Sequence, residues 1–142
     1  MPLDSLDNLV KLGSLKAELA AQAEIDGLMR SGQARLKDAG NTTLSLESRF
    51  DLAYNAAHAL SLAALRWHGY RSENRYLVFQ CLTHTLRLPA EQWRVLDRAH
   101  RKRNLAEYEG DLDLDETLLV ALIRVAVEVA KRVTALGALP KS

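Results

Sequence analysis

Apolar positions along this chain recur at the three-four spacing of one helical face, and no stretch alternates apolar and polar residues with β-branched enrichment. The pattern predicts an all-α protein. Its most regular run is Leu46, Phe50, Ala53, Ala57, Leu60, Ala64 and Trp67, the seam of a tightly packed helix pair. This helix is predicted to start at Ser45, a capping residue with an acidic first turn, and to reach His68 before Gly69; Ala53, Ala57 and Ala64 leave room for another backbone. A second seam, Leu119, Leu122, Ala126, Val129, Val133 and Leu136, predicts a last helix that begins near Asp113 or Asp115 and stops before Gly137 and Pro140. Between them, one helix is expected from about Glu73 to Arg87, carrying Leu77, Cys81 and Leu82. Pro89 separates it from another helix over about Ala90 to Tyr108, which Gly110 ends. Upstream, a long helix from Ser14 to Lys37 is predicted, with a stop near Gly40-Asn41 and a short helical turn over residues 4–12. Gly27 and Gly32 inside the long helix each weaken it by ~1 kcal/mol relative to Ala and suggest a kink or a close helix contact. The elements make a single domain over residues 1–142, core about 14–137: an up-and-down antiparallel bundle of four to five helices with short loops.

Composition narrows the class. A chain of 142 residues with 48% apolar and 26% charged residues, seven Gly and three Pro is an ordinary globular chain, which excludes a disordered one. The single cysteine, Cys81, forms no internal disulfide and, on an apolar helical stretch, reads as a buried structural thiol. The N-terminus has no apolar leader-like core, and nowhere do about 18 apolar residues run without a charge, so a cytoplasmic protein without membrane contact is expected. The net charge of +1 offers no global attraction to nucleic acid, so such binding needs a local patch.

A patch of that kind is present. Arg94, Arg98, Arg101, Lys102 and Arg103 precede Glu107, Glu109, Asp111, Asp113, Asp115 and Glu116, a basic-then-acidic polarity that the average conceals. Helical spacing puts Arg94, Arg98 and either Arg101 or Lys102 along one stripe, while Trp93, Leu96 and His100 line its neighbour with Arg103 next along. Arg103 is therefore expected to turn inward or toward a partner chain. An inward guanidinium needs a partner, and Glu107, one turn on, is the local one. The acidic run lacks the Gly and the twelfth-position Glu of a calcium loop and reads as a helix cap with a solvated loop. His58, His68, His84 and His100 have no zinc-site spacing, and there is no phosphate-binding Gly-rich loop or nucleophile elbow. No metal and no cofactor are expected. His58, on the seam helix, reads as a satisfied histidine at the edge of the core.

Three segments, Tyr54-Asn55-Ala56-Ala57-His58-Ala59-Leu60, Leu65-Arg66-Trp67-His68-Gly69-Tyr70-Arg71, and Arg103-Asn104 followed after three residues by Tyr108, together resemble the HEPN superfamily over about residues 45–136. The resemblance implies a bundle of four to five helices, frequently a homodimer, with an Arg-polar-x(n)-His motif on a late helix. Ribonuclease members cleave RNA without metal where two motifs face each other across the dimer. Other members bind RNA, nucleotides or partner proteins, often beside a nucleotidyltransferase in toxin–antitoxin pairs.

On this chain Arg103 and Asn104 match the start of the motif, and the motif's histidine falls on Tyr108. That departure matters, because the 2′-hydroxyl needs a base titrating near neutrality, and a tyrosine, with a reference pKa of about 10, is a poor one. His100 is a substitute, since Arg94-x5-His100 has the same letters. In a nuclease, Arg103 would hold phosphate, Asn104 would orient the site, and Tyr108 or His100 would carry the proton, with Arg94, Arg98, Arg101 and Lys102 holding the nucleic acid. The sequence leaves three readings: a domain binding RNA or nucleotide, whose catalytic form is a metal-independent ribonuclease of a toxin–antitoxin-type module; a non-catalytic module docking a partner protein through the basic helix; and a purely structural one in which the basic helix is an ordinary solvated surface.

Overall fold

The seam at 46–67 forms as its spacing dictates. In a computed structural model that describes the backbone of residues 4–109 and 115–140 and the side chains of 5–104 and 115–140, helix α3 spans Leu46–Trp67. The Ser45 hydroxyl accepts the Ser48 N–H at 3.0 Å and so satisfies one of the open donors of the first turn. Phe50, Ala53, Ala57, Leu60 and Ala64 are all buried. The other seam is helix α7, Glu116–Leu136, started by Asp115, whose carboxylate accepts the Leu118 N–H at 2.7 Å. The remaining helices are α1 (Asp4–Lys11), α2 (Gln22–Ala39), α4 (Arg75–Gln80), α5 (Leu82–Thr85) and α6 (Ala90–Glu109). The fold is an all-α helical bundle in which α3 packs against α2 and α7, and α6 against α7. Two strands of two residues, β1 (Lys16–Ala17) and β2 (Tyr70–Arg71), pair antiparallel as Lys16 with Arg71 and Ala17 with Tyr70.

Close contact near the glycines of α2 occurs at Gly32, where an added Cβ would come within 2.7 Å of Leu60 Cγ and 3.4 Å of the Ala56 carbonyl. At Gly27 the nearest atom is an Arg30 nitrogen at 3.9 Å, so only Gly32 is required for the approach of α2 to α3.

Two predicted helices are corrected. The helix expected from Ser14 to Lys37 begins only at Gln22, and Ser14 caps nothing. Residues 15–21 are held out of the helix by tertiary bonds. The Glu18 N–H donates to Gly69 O at 2.9 Å, and the Arg66 guanidinium, on a side chain 2% exposed, donates to Glu18 O at 2.7 Å and Leu19 O at 3.3 Å. The same guanidinium grips Glu24 through Nε at 2.6 Å and Nη2 at 3.1 Å and reaches Tyr70 O at 3.2 Å. Five bonds to one buried cation outweigh even the good helix formers of the segment. The helix expected from Glu73 to Arg87 is split at Cys81, where the N–H groups of His84 and Thr85 both turn to Cys81 O at 2.9 Å. The tightened turn brings Leu86 and Leu88 into the core.

Buried side chains form two clusters. The main one joins α3, α7 and the apolar faces of α2, α5 and α6. A smaller one, with Leu6, Leu15, Leu65, Tyr70, Val78 and Cys81, lies under α1 and the strand pair. Cys81 is buried there, and burial pushes its thiol up to about 11, as befits a structural cysteine. Among the described residues no helix is long and apolar enough to cross a membrane.

Candidate functional site

Three helices bring their polar residues together on the side of α3 that faces α4 and α6. From α3 come Tyr54, Asn55 and His58, which share a face at spacings of three and four residues. The first turn of α4, started by the Asn74 side chain accepting the Leu77 N–H at 3.0 Å, supplies Arg75 and Tyr76. Helix α6 supplies Asp97, His100, Arg101, Arg103 and Asn104.

Tyr54, with no exposed surface, is the centre. Its hydroxyl lies 2.8 Å from His100 Nδ1, and its ring is covered by two guanidinium groups, Arg103 at 4.8 Å and Arg75 at 5.7 Å from the centroid. Cations over an aromatic face are attracted by its quadrupole, more strongly where water is excluded. Phe79 closes the apolar side, edge-on to Tyr54 at 5.7 Å and to His58 at 6.1 Å. Arg75 also donates to Asn55 Oδ1 at 2.9 Å, and Arg103 approaches the exposed Asp51 carboxylate at 3.9 Å.

His100 is held at both nitrogens. The Asn104 amide nitrogen lies 3.2 Å from Nε2, and as its donor it places the imidazole proton on Nδ1, toward the Tyr54 oxygen. Burial, followed by the positive charge of Arg103, lowers the pKa of His100 and favours its neutral form. Beside it, Tyr76 donates to Asp97 Oδ1 at 2.8 Å, and Arg101 reaches both Asp97 oxygens at 3.2 Å. Burial opposes the charge on Asp97, but those bonds prevail and hold its carboxyl below the usual range. The bond to Asp97 in turn raises the Tyr76 hydroxyl.

His58 departs from expectation. It is not a satisfied core-edge histidine: its Nε2 is out of water and has no hydrogen-bond partner. Burial, with the fields of Arg75 and Arg103, lowers its pKa to about 4, so the ring is neutral at pH 7.

The sequence-derived candidates therefore divide. Arg103, Asn104 and His100 meet at one place. Arg94, Arg98 and Arg101 are exposed on the outer stripe, Arg101 tied to Asp97, and Lys102 is half-buried. The side chains of Tyr108 and Glu107 lie outside the described residues, as does Gly110. Sequence reasoning overlooked Arg75 and Tyr76. Their only local signal is the cap at Asn74, which starts α4 so that they emerge in its first turn; what gives them a role is the approach of α4 to α6, a tertiary contact.

Chemically, the cluster offers two guanidiniums suited to phosphate oxygens and two neutral imidazoles, of which His100 has both nitrogens already bonded, Nε2 to Asn104 and Nδ1 to Tyr54. The comparisons add no relative: no protein-family model, no curated protein and no solved structure matches the chain.

Proposed function

We propose that the protein is a HEPN-like helical domain that binds RNA or a nucleotide through the α6 face, with a metal-independent ribonuclease as its catalytic form. The observation that carries the reading is the convergence of Arg103 and His100 on Tyr54, with Asn104 on the far nitrogen of His100, residues 46 positions apart in the chain at the Tyr54–His100 bond. A domain needing only a solvated basic helix has no use for a guanidinium and an imidazole gathered on one buried tyrosine. In the catalytic form, Asn104 releases His100 Nε2, the 2′-oxygen bonds to phosphorus as its proton passes to that nitrogen, the bond from phosphorus to the 5′-oxygen breaks as the resulting imidazolium returns the proton to the leaving oxygen, and Arg103 stabilises the extra charge on phosphate. His100, neutral at pH 7, suits the base better than a tyrosine. By the resemblance, the protein acts in the cytoplasm as a homodimer, as the toxin-like half of a module with a nucleotidyltransferase-type or antitoxin partner.

The test is RNA cleavage by purified protein in EDTA, beside Arg103→Ala and His100→Ala. Cleavage that disappears in both variants supports the catalytic form. Intact RNA with salt-dependent retention, at a slope near −0.7 per neutralised phosphate, supports binding alone. No cleavage and no retention overturns the reading. The exposed stripe of Arg94, Arg98 and Arg101, outside the cluster, favours a second reading: a non-catalytic module docking an acidic partner protein, to which a salt-sensitive association with a second protein, without retention of RNA, would point.

A further inference from the structure

A groove of about 520 Å³ lies between α2 and α7, two helices that contribute nothing to the cluster around Tyr54. Gly32 lets α2 sink against Leu60 of α3, and one turn on Leu36 faces only short or branched side chains of α7, Ile123, Val127 and Ala130, which with it make the floor of the groove. Leu36 and Ile123 pack on the main core and are only partly buried, and Val127 remains 38% exposed. Apolar clefts between the helices of a bundle, carrying a few polar groups, are a common form of small-ligand site. The polar groups here have one sign. Lys37 of α2 and Lys131 of α7 line the groove from opposite sides, and none of the described lining residues is acidic. Neither lysine pairs with a carboxylate among the described residues, and Glu128, on α7 between Val127 and Lys131, is held by Arg132 at 2.7 Å.

We propose that this groove binds a free single-chain carboxylate, the chain lying along Leu36, Ile123, Val127 and Ala130 and the anionic head meeting the ammonium groups of Lys37 and Lys131. From Ile123 to Lys131 helix α7 rises about 12 Å, room for an extended chain of about ten carbons. The two parts of the ligand are read by different parts of the site. Water leaves the chain and the floor together, so affinity grows with chain length. The head is selected by charge, because an apolar strip alone would favour an uncharged alcohol over an ionised carboxylate, whose desolvation is costly. A free acid is the occupant rather than a lipid held in a bilayer, since the floor is recessed between two helices and takes a chain, not the surface of a membrane. The groove is separate from the α6 face, so the proposal does not depend on the nucleic-acid reading.

The experiment is titration calorimetry of the full chain at pH 7.5 with octanoate, decanoate and dodecanoate, each below its micelle-forming concentration, and with decanol. One decanoate is expected to bind per chain, and each added methylene should tighten binding about twofold, short of the nearly fourfold of full burial because one side of the groove stays open. Decanoate should bind about fivefold more tightly than decanol, a preference that two exposed lysines are able to supply. Lys37→Met with Lys131→Met keeps the apolar stems and removes the charges, and should abolish this preference while leaving the dependence on chain length. Val127→Asp, at a half-open position, should abolish decanoate binding without changing the far-ultraviolet spectrum, whereas Lys11→Met, on α1, should leave it as in the wild type. Absence of saturable decanoate binding, equal or tighter binding of decanol by the wild type, or undiminished binding in a folded Val127→Asp overturns the proposal. So does adsorption to phosphatidylglycerol vesicles with no binding of the free acids, which would mark a membrane-facing surface.

Discussion

Lowering the pH should unfold this protein through His58 before its carboxylates come into play. The imidazole titrates at about 4 in the folded chain against an ordinary 6.5, so between those values the unfolded chain binds the extra proton. The sign follows: the contribution is fully present above about pH 6.5 and is lost as the pH falls toward 4. A displacement of that size corresponds to about 3 kcal/mol, and since His58 is partly open to solvent, about 2 kcal/mol is the share to expect in solution. His68 and His100 are lowered too, chiefly by burial, and add to the loss with the same sign. Glu18, Glu24 and Asp97 are also lowered, but their contributions fade only below about pH 4.5. Urea unfolding at pH 7.5, 6.0, 5.0 and 4.5, for wild type and His58→Gln, isolates the effect. The wild type should lose about 2 kcal/mol more than the variant across that range. Identical pH slopes would refute the claim that this ring is held neutral.

Three further outcomes are expected. Gly32→Ala should destabilise by about 1–2 kcal/mol, since the clash with Leu60 exceeds the gain in helix propensity, whereas Gly27→Ala should stabilise by about 0.5–1 kcal/mol; urea midpoints of the two variants decide it. Arg66→Met should cost about 3–5 kcal/mol, because it strands Glu24 and the carbonyls of Glu18, Leu19 and Tyr70, and an unchanged thermal midpoint would show that the buried guanidinium does not hold residues 18–24. If RNA is bound along the outer stripe, Arg94→Ala with Arg98→Ala should reduce the log–log salt slope by about 0.7 for each phosphate no longer neutralised, and an unchanged slope would place the nucleic acid elsewhere.

Helices whose stability comes from one repeated apolar stripe are legible in the sequence. Both α3 and α7 begin at the capping residues that the sequence offers, because stripe and cap are local properties. The segment 15–21 misleads for the opposite reason. Lys16-Ala17-Glu18-Leu19 has good helix formers, and only Arg66, some 48 residues away, reveals that its carbonyls are needed elsewhere. The site divides along the same line. Arg103, Asn104 and His100 lie on one helix and are found by spacing, whereas Arg75, Tyr76 and the unpartnered nitrogen of His58 acquire meaning only when α4 meets α3 and α6. Helix α4 is read from the sequence only as the first part of one helix over 73–87, because the break after Gln80 has no local signal.

Helix α4 also stands between the two cores, with Phe79 in the larger and Val78 in the smaller. The smaller is completed by Leu6 of α1 and by Tyr70, whose hydroxyl donates to Asp7. The wall of the site that carries Arg75 is therefore backed by the N-terminal residues, although none of them touches a ligand group. Amide exchange in α1 and in the first turn of α4 should consequently rise and fall together as one opening unit, so that the beginning of the chain sets how often this wall swings away.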